Sequence, residues 1–525
     1  MSSGPLLDYQ TMTANKTGCR YLWFGLCFIL ITASVLFLAV FGNLDNNEGW
    51  YGNDTYLVMS GKSIYQDFFY HRLPLFIQTY ALAAKITGAG LLKLRMISVA
   101  FTLLLVLGTY LFLRRITDRK IALIGMLFFL SSFDILRYYT TIQSYSLVAL
   151  LLLVSVYISL LKSNPFYRYS LIGILLAFVQ WTRYPIDYIP LAFFIYLFVL
   201  YLRNPKVIYV SIGCFVATHV LLLAVYYSPE FRFDVEYGMF QEAPMTFKTL
   251  LQFKSQWISF SIISYLAVIL IGGLLAIHFA AKRPGIRTIT QTILERDWLF
   301  LTLLLIAGNA GMYFMAEAGH PVQMAYVLPL MIIMVAYMLF KFLQSHKGIN
   351  RSVFYAGLLF VLIIGAFVND RNFNLSRRHA HLFVMNNIGR EISNVTSEED
   401  RLLVFGPVMG ISSSRSLVSG LEFDLFGYTD GSISGEEVKR YHLMNDQELM
   451  RIVKNKQAQM VIINERFLYS KAMGRKLENV REEILGILDN EYERIHINDS
   501  FYKDVFGVIK IYRQPVFSYL PKNER

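Results

Sequence analysis

Twelve ionisable side chains interrupt an otherwise apolar chain at positions where they could do chemistry together. They are Asp45, Glu48, Asp54, Asp67, His71, Arg72, Asp134, Arg137, Arg183, Asp187, Glu317 and His320. They collect between long apolar runs rather than inside them. A carboxylate so placed can take a proton from an acceptor hydroxyl or amine. Cations facing it can hold and neutralise a phosphate leaving group. A transporter would instead bury charges in mid-span or carry paired Gly and Pro breaks in symmetric halves, and most runs here carry neither.

The elements that must position these residues follow from composition. The chain has 525 residues, 55% hydrophobic and 16% charged, with a mean hydropathy of +0.44. Soluble globular chains are about 45–50% apolar and about 25% charged, so a soluble enzyme and a disordered chain are both excluded. Apolar runs near 21–42, 91–113, 119–133, 145–161, 168–182, 187–202, 207–227, 257–280, 298–316, 323–342 and 352–368 meet or approach the roughly 20 residues that cross a bilayer. The fold class expected is an α-helical polytopic membrane protein of about 11 transmembrane helices. The first run, from Tyr21 to Phe41, exceeds the 7–15 residues of a signal-peptide core and reads as a retained span.

The net charge of +12 lies in short loops, which points to membrane topology and not to nucleic acid. With the N-terminus cytoplasmic, the inside loops hold seventeen Lys and Arg, from Lys16 to Arg351. The short outside loops hold five: Arg137, Arg183, Arg232, Lys248 and Lys254. An odd number of spans then places the C-terminal tail outside, and the chain in the cell (inner) membrane. Cys19, Cys27 and Cys214 lie in or beside apolar runs, so the tail has neither a disulfide framework nor a cysteine metal knuckle. His219 and His278 sit inside apolar runs and read as hydrogen-bonded structural residues.

Two outside segments are too long to be mere connectors. The first, spanning 43–90, opens acidic and polar and turns amphipathic through Tyr65–Lys85, as one or two short helices on the membrane surface. The second, Ser228–Gln256, carries Glu230, Asp234, Glu236 and Glu242. The membrane domain occupies 1–368, and a soluble extracytoplasmic α/β domain occupies 369–525. In it, Leu402–Phe405, Met460–Ile463 and Phe506–Arg513 read as strands. Asn445–Lys456 and Arg475–Asn490 read as helices, with Asn445 or Asp446 a suitable N-cap.

The stretch from Asn46 to Phe76, NNEGWYGNDTYLVMSGKSIYQDFFYHRLPLF, carries the most specific signal. It resembles the first extracytoplasmic loop of the GT-C glycosyltransferases that use polyprenyl-phosphate sugars, a group that includes protein O-mannosyltransferases and the aminoarabinose transferase of lipid A. Family members look like D-E-G-x-Y, then a Gly, then Y-R-D-F-F-x-H-K-P-P-L. The matching residues are Glu48-Gly49-Trp50-Tyr51, Gly61, Tyr65-Gln66-Asp67-Phe68-Phe69 and His71-Arg72-Leu73-Pro74-Leu75. The step from Glu48 to Tyr65, the single preceding span and Leu94-Arg95-Met96-Ile97 at the next span also fit. Thr182-Arg183-Tyr184-Pro185 and the segment His320–Pro329 are weaker echoes.

The resemblance implies a membrane glycosyltransferase moving a sugar from a polyprenyl-phosphate donor to an extracytoplasmic acceptor (glycan, lipid or protein), with inversion. It further implies Asp67, His71, Arg72, Arg183 and His320 as contacts to phosphate or acceptor, with Arg137 a weaker candidate. One departure matters. Where the family has the Asp expected to act as base, this chain has Asn47, and a neutral amide cannot take a proton. Three readings follow: Asp45 is the base, Glu48 is the base, or the chain is a weakened or inactive relative. The last keeps a non-enzymatic alternative open, a lipid-linked-glycan transporter or a scaffold retaining the fold. A divalent ion near the acidic loop is compatible with the spacing without being required by it. Each residue also has a plain structural role open to it: Asp67 as a helix N-cap before Phe68, His71 and Arg72 as interfacial anchors, Arg183 as a snorkelling cation. The cluster Arg371, Arg377, Arg378, His379 and His381 after the last span reads as a solvated helix face.

Overall fold

The computed structural model describes residues 6–42, 44, 46–183, 188–202, 204–240, 265–281, 296–315, 321–346, 348–370, 382–404, 408–429, 433–464, 477–495 and 516–521. A helix lies in each of the eleven apolar runs. In chain order the first helices are α1 (Leu6–Phe41), α2 (Asn46–Met59), α3 (Leu75–Thr87), α4 (Leu91–Ile116), α5 (Arg119–Ser131), α6 (Phe133–Thr140), α7 (Tyr145–Ser159), α8 (Pro165–Thr182), α9 (Tyr188–Tyr201), α10 (Pro205–Tyr226) and α11 (Pro229–Phe240). Helices Leu266–Ala281, Asp297–Met315, Leu328–Ser345 and Arg351–Asp370 complete the bundle.

Among the described residues, four segments are by themselves long and apolar enough to cross a bilayer: Leu22–Phe41, Leu91–Ile116, Pro205–Tyr226 and Val322–Ser345. The run at 119–133 is not one straight span. It bends by 80° into α6 at Ser132, where the Ser131 hydroxyl bonds back to the Phe128 carbonyl at 2.8 Å and loosens the helical ladder. Val322–Ser345 is mostly buried at the centre, whereas Leu22–Phe41 and Pro205–Tyr226 turn most of their apolar surface outward. That outward surface is what lipid contact requires of a helix apolar all round.

The first long loop folds into two helices. Its polar opening is helical from Asn46, not irregular, and places Glu48 in the first turn, where a carboxylate complements the helix dipole. Gly61, at a φ of 93°, supplies the left-handed turn after α2, and Pro74 stands at the start of α3. The second long loop begins with α11.

The C-terminal domain is a five-stranded mixed sheet, β1 (Arg401–Val404), β2 (Ser416–Leu417), β3 (Met460–Asn464), β4 (Tyr492–Ile495) and β5 (Val516–Pro521), in the order β2-β1-β3-β5-β4. β1 is parallel to β2 and β3, and β5 is antiparallel to β3 and β4. Helix Asp446–Lys454 is capped by Asn445, whose side chain accepts from Glu448 N at 2.8 Å. The expected strand at Phe506–Arg513 lies outside the described residues, and the strand found near the chain end is β5. The domain docks on the first loop through one shared apolar core. Tyr51, Phe68, Phe69 and Tyr70 from the loop pack there with Leu382, Met385, Ile411 and Phe423.

Candidate functional site

Glu48 and Arg95 form the foundation of the site. Both are 0% exposed. The guanidinium grips the carboxylate with two donors, Nε to Oε1 at 2.8 Å and Nη2 to Oε2 at 2.6 Å. Arg95 Nη1 also donates to the carbonyls of Ala39 and Gly42, at 2.8 and 3.0 Å, at the C-terminal end of α1. Glu48 Oε1 accepts from Ile142 N at 3.0 Å, in the turn between α6 and α7. One bidentate pair therefore ties together α1, α2, α4 and the α6–α7 turn. Ser98 and Thr102, one and two turns along α4, continue the seam by donating to the carbonyls of Thr141 and Tyr139.

A cationic pocket rests on this foundation. Arg183, the residue that ends α8, donates through Nη1 to the Tyr51 hydroxyl at 2.5 Å. Arg72 lies in the segment leading to α3, and its Nε is buried with no hydrogen-bond partner in the structure. Neither guanidinium has a carboxylate partner among the described residues. Both bear electrostatically on His71 and Tyr70. Tyr326 lies within the electrostatic reach of Arg183 and Arg72 and stacks on Tyr145 with centroids 5.1 Å apart. Gln143, in the α6–α7 turn beside Ser144, has both amide atoms buried without a partner. The arrangement is two guanidiniums with no carboxylate partner among the described residues, which suits an anionic ligand.

His71 does not add a third charge. Burial holds its imidazole well below the usual histidine range, and Arg72 and Arg183 push the same way. It is therefore a neutral ring at physiological pH, with Nδ1 unpartnered. Two phenylalanines of the C-terminal domain enclose it, Phe426 stacked at 4.7 Å and Phe423 edge-on at 4.5 Å. Phe423 also meets Trp50, Tyr51 and Tyr70 at 5.4, 6.2 and 5.6 Å. The domain thus contributes a wall of the pocket.

Beside that wall lie two buried acids. Neither carboxyl oxygen of Asp54 has a hydrogen-bond partner in the structure. Burial, with Glu422 nearby, pushes Asp54 well above the usual carboxylate range. Burial pushes Glu422 up to about 7, although Gly420 N donates to it at 2.6 Å. Asn53 Nδ2 reaches the Glu422 carbonyl at 3.2 Å. On α11, Asp234 accepts from Tyr70 N at 2.9 Å, and burial pushes it up to about 9.

The structure places His71, Arg72 and Arg183 within electrostatic reach of one another and gives Glu48, Asp67 and Arg137 other partners. Glu48 lies beneath, sealed in its pair with Arg95. Asp67 is exposed and accepts from Ser63 N at 2.6 Å. It braces the turn at Ser63–Phe68, and no helix follows it at Phe68–Tyr70, as the N-cap reading required. Arg137 pairs with Asp134 at 3.5 Å and lies over the Tyr138 ring. Asp45, His320, Glu317, Asp187 and the basic cluster at 371–381 lie outside the described residues. His219 is hydrogen-bonded inside the bundle to Phe215 O and Gln180 Oε1, at 3.0 and 2.9 Å. Among the described residues, no three His, Cys, Asp or Glu side chains converge as a metal cage. Sequence reasoning gave no specific role to Tyr51, Tyr70, Arg95, Tyr326, Glu422 or Phe423, and named Asp54 only among the ionisable residues. Of these, Glu422 and Phe423 lay outside every motif stretch.

No family model matches the chain, and no curated protein matches its sequence. Solved structures do match its shape. ArnT from Cupriavidus metallidurans bound to undecaprenyl phosphate superposes with a TM-score of 0.61 at 10% identity, over 96% of this chain and 98% of that one. The two chains share one fold. The apo state of the same ArnT gives a TM-score of 0.60 at 11% identity, over 94% and 97% of the two chains. An archaeal oligosaccharyltransferase, AglB from Archaeoglobus fulgidus in complex with an inhibitory peptide and a dolichol-phosphate, gives 0.52 at 11% identity, covering 96% of this chain and 74% of its own. The helical bundle with one terminal α/β domain is therefore shared architecture, and the expected fold class holds at that level.

Proposed function

We propose that this protein is a membrane glycosyltransferase that takes a sugar from a polyprenyl monophosphate and gives it, with inversion, to an acceptor on the face of the first loop. The observation that carries the reading is the pair of guanidiniums, Arg72 and Arg183, which both act on His71 and have no carboxylate partner among the described residues. Support comes from the shared fold with ArnT bound to undecaprenyl phosphate and AglB bound to dolichol-phosphate.

In this mechanism Arg72 and Arg183 hold the lipid phosphate. His71, neutral, and Tyr326 add dipoles. The acceptor oxygen or nitrogen attacks the anomeric carbon from the side opposite the phosphate. As that bond forms, the carbon–oxygen bond to the phosphate breaks, and its electron pair stays on the lipid phosphate. The acceptor's proton passes to a carboxylate. A phosphate is already a good leaving group, so neutralising its charge lowers the barrier without a general acid. Asp45, just ahead of α2 in the sequence, is the base in this reading. Glu48 is committed to Arg95 and acts as a positioning residue. The C-terminal domain, through Phe423 and Phe426, closes the pocket and helps select the acceptor. The membrane is the cell (inner) membrane, with the N-terminus cytoplasmic.

The test is transfer of labelled sugar from polyprenyl-phosphate donors in reconstituted vesicles. Arg72→Gln and Arg183→Gln each lower turnover by about 10²–10³, the loss typical for one preorganised charge-stabilising donor. Turnover unchanged in both variants overturns the assignment of the phosphate pocket, and a wild type inactive with every donor overturns the enzyme reading.

A further inference from the structure

A cavity of about 460 Å³ opens beside the first loop, between the turn after α2, α3 and the end of α10. Lys62, after α2, and Lys85, in the last turn of α3, line it together with Gln78 and Tyr226. Both lysines are exposed, and neither forms an ion pair among the described residues. Asp67, the acid nearest in sequence to Lys62, is not a lining residue, and its carboxylate is taken by Ser63 N. With Asp67 bound to the lining residue Ser63, the rim carries two positive charges and one negative charge, a net cationic balance.

Its flanks are apolar and turned outward. Tyr226 ends a helix long and apolar enough to cross a bilayer, so the cavity lies at headgroup depth. Val225, on that helix, is 73% exposed, and on α3 Leu82 is 68% and Ile86 89% exposed. Leu82 and Ile86 are four residues apart and form one outward stripe of α3, with Lys85 beside it. Apolar stems near acyl chains with cationic heads above them are how basic side chains sit at a bilayer surface.

The floor is held rigidly. Tyr65 adopts a φ of 72°, the left-handed region that bulky residues avoid, and its hydroxyl donates to the Arg72 carbonyl at 2.7 Å. Its ring meets Phe231 edge-on at 5.0 Å.

We infer that this cavity is a binding site for the phosphate-bearing headgroup of an anionic bilayer lipid, with acyl chains along Leu82, Ile86 and Val225 and the phosphate between Lys62 and Lys85. The inference does not depend on the transferase reading, and its test needs no activity.

Full-length protein in mixed micelles is titrated with phosphatidylglycerol or phosphatidylcholine, and retained lipid is counted by native mass spectrometry. Phosphatidylglycerol is retained preferentially. Two interfacial lysines account for about a thirty-fold preference, which Lys62→Gln/Lys85→Gln abolishes and Lys62→Arg/Lys85→Arg keeps. Both lysines are exposed, and circular dichroism confirms that the variants fold. Equal retention in wild type and the Gln pair overturns the site. Displacement of phosphatidylglycerol by inorganic phosphate also overturns it, by showing a site for a soluble anion. Complete displacement by polyprenyl phosphate overturns it too, by assigning the cavity to the carrier.

Discussion

Replacing Glu48 by Gln removes the charge against which Arg95 is buried. Breaking a fully buried ion pair on one side costs about 3–5 kcal/mol, and Arg95 then holds α1, α2 and α4 with an uncompensated charge. The expected outcome is a much lower Tm for Glu48→Gln, shared by Arg95→Gln. Thermal unfolding in detergent checks it. A variant with normal Tm and no turnover would instead make Glu48 the base. Tyr51→Phe is a milder probe. It deletes the hydroxyl that accepts from Arg183 Nη1 and leaves the ring against Phe76 and Phe423. The loss of about 1 kcal/mol for one such bond predicts a KM for the lipid donor raised by about five-fold, with little change in Tm. Arg72, His71 and Arg183 could be picked out in the sequence because each stands in a motif of chemically distinctive residues. The roles of Glu48 and Arg95 could not, because their pairing joins residues 47 apart that only the folded chain brings together.

At the scale of elements, α2 shows why a motif can be read while its structure cannot. Its sequence, NNEGWYGNDTYLVM, holds two glycines and three asparagines, all poor helix formers. Tertiary packing overrides that. A Cβ on Gly52 would come within 2.5 Å of Ile411 Cδ1, so the bare glycine leaves room for that side chain of helix Val408–Ser413. The same contact region carries a pH dependence. Asp54 and Glu422 keep their protons in the folded protein at pH values where the unfolded chain has released them. The folded state binds more protons there, so stability is full at acid pH and falls as pH rises. For Glu422 the fall runs from its ordinary value of 4.5 to about 7, and Asp54 acts in the same direction. Proteolysis or hydrogen exchange across the segment 419–427 should therefore accelerate through that window. Glu422→Gln should flatten the response. An equally steep response in that variant would place the titration elsewhere.

Across the whole molecule, the charge pattern and the docking of the terminal domain bear on one question, the orientation of the chain. Asn53 reaches Glu422, the His442 ring meets the Gln66 carbonyl at 2.7 Å, and Arg440 pairs with Glu230 at 3.2 Å. The two long loops and the C-terminal domain therefore share one face, as an even number of crossings between them requires. The turn after α7 lies at the other end of the bundle, among the loops rich in Lys and Arg. If those loops are cytoplasmic, single cysteines placed in a background lacking Cys19, Cys27 and Cys214 should sort by side. Ser60→Cys and Glu436→Cys, both at exposed positions, should react with a membrane-impermeant maleimide on intact cells. Ser163→Cys, also exposed, should react only after permeabilisation. The reverse pattern would invert the chain in the membrane and move the cationic pocket to the cytoplasm, where a carrier presented on the outer face could not meet it. A split between Ser60→Cys and Glu436→Cys would instead break the contact between loop and domain on which the pocket's aromatic wall depends.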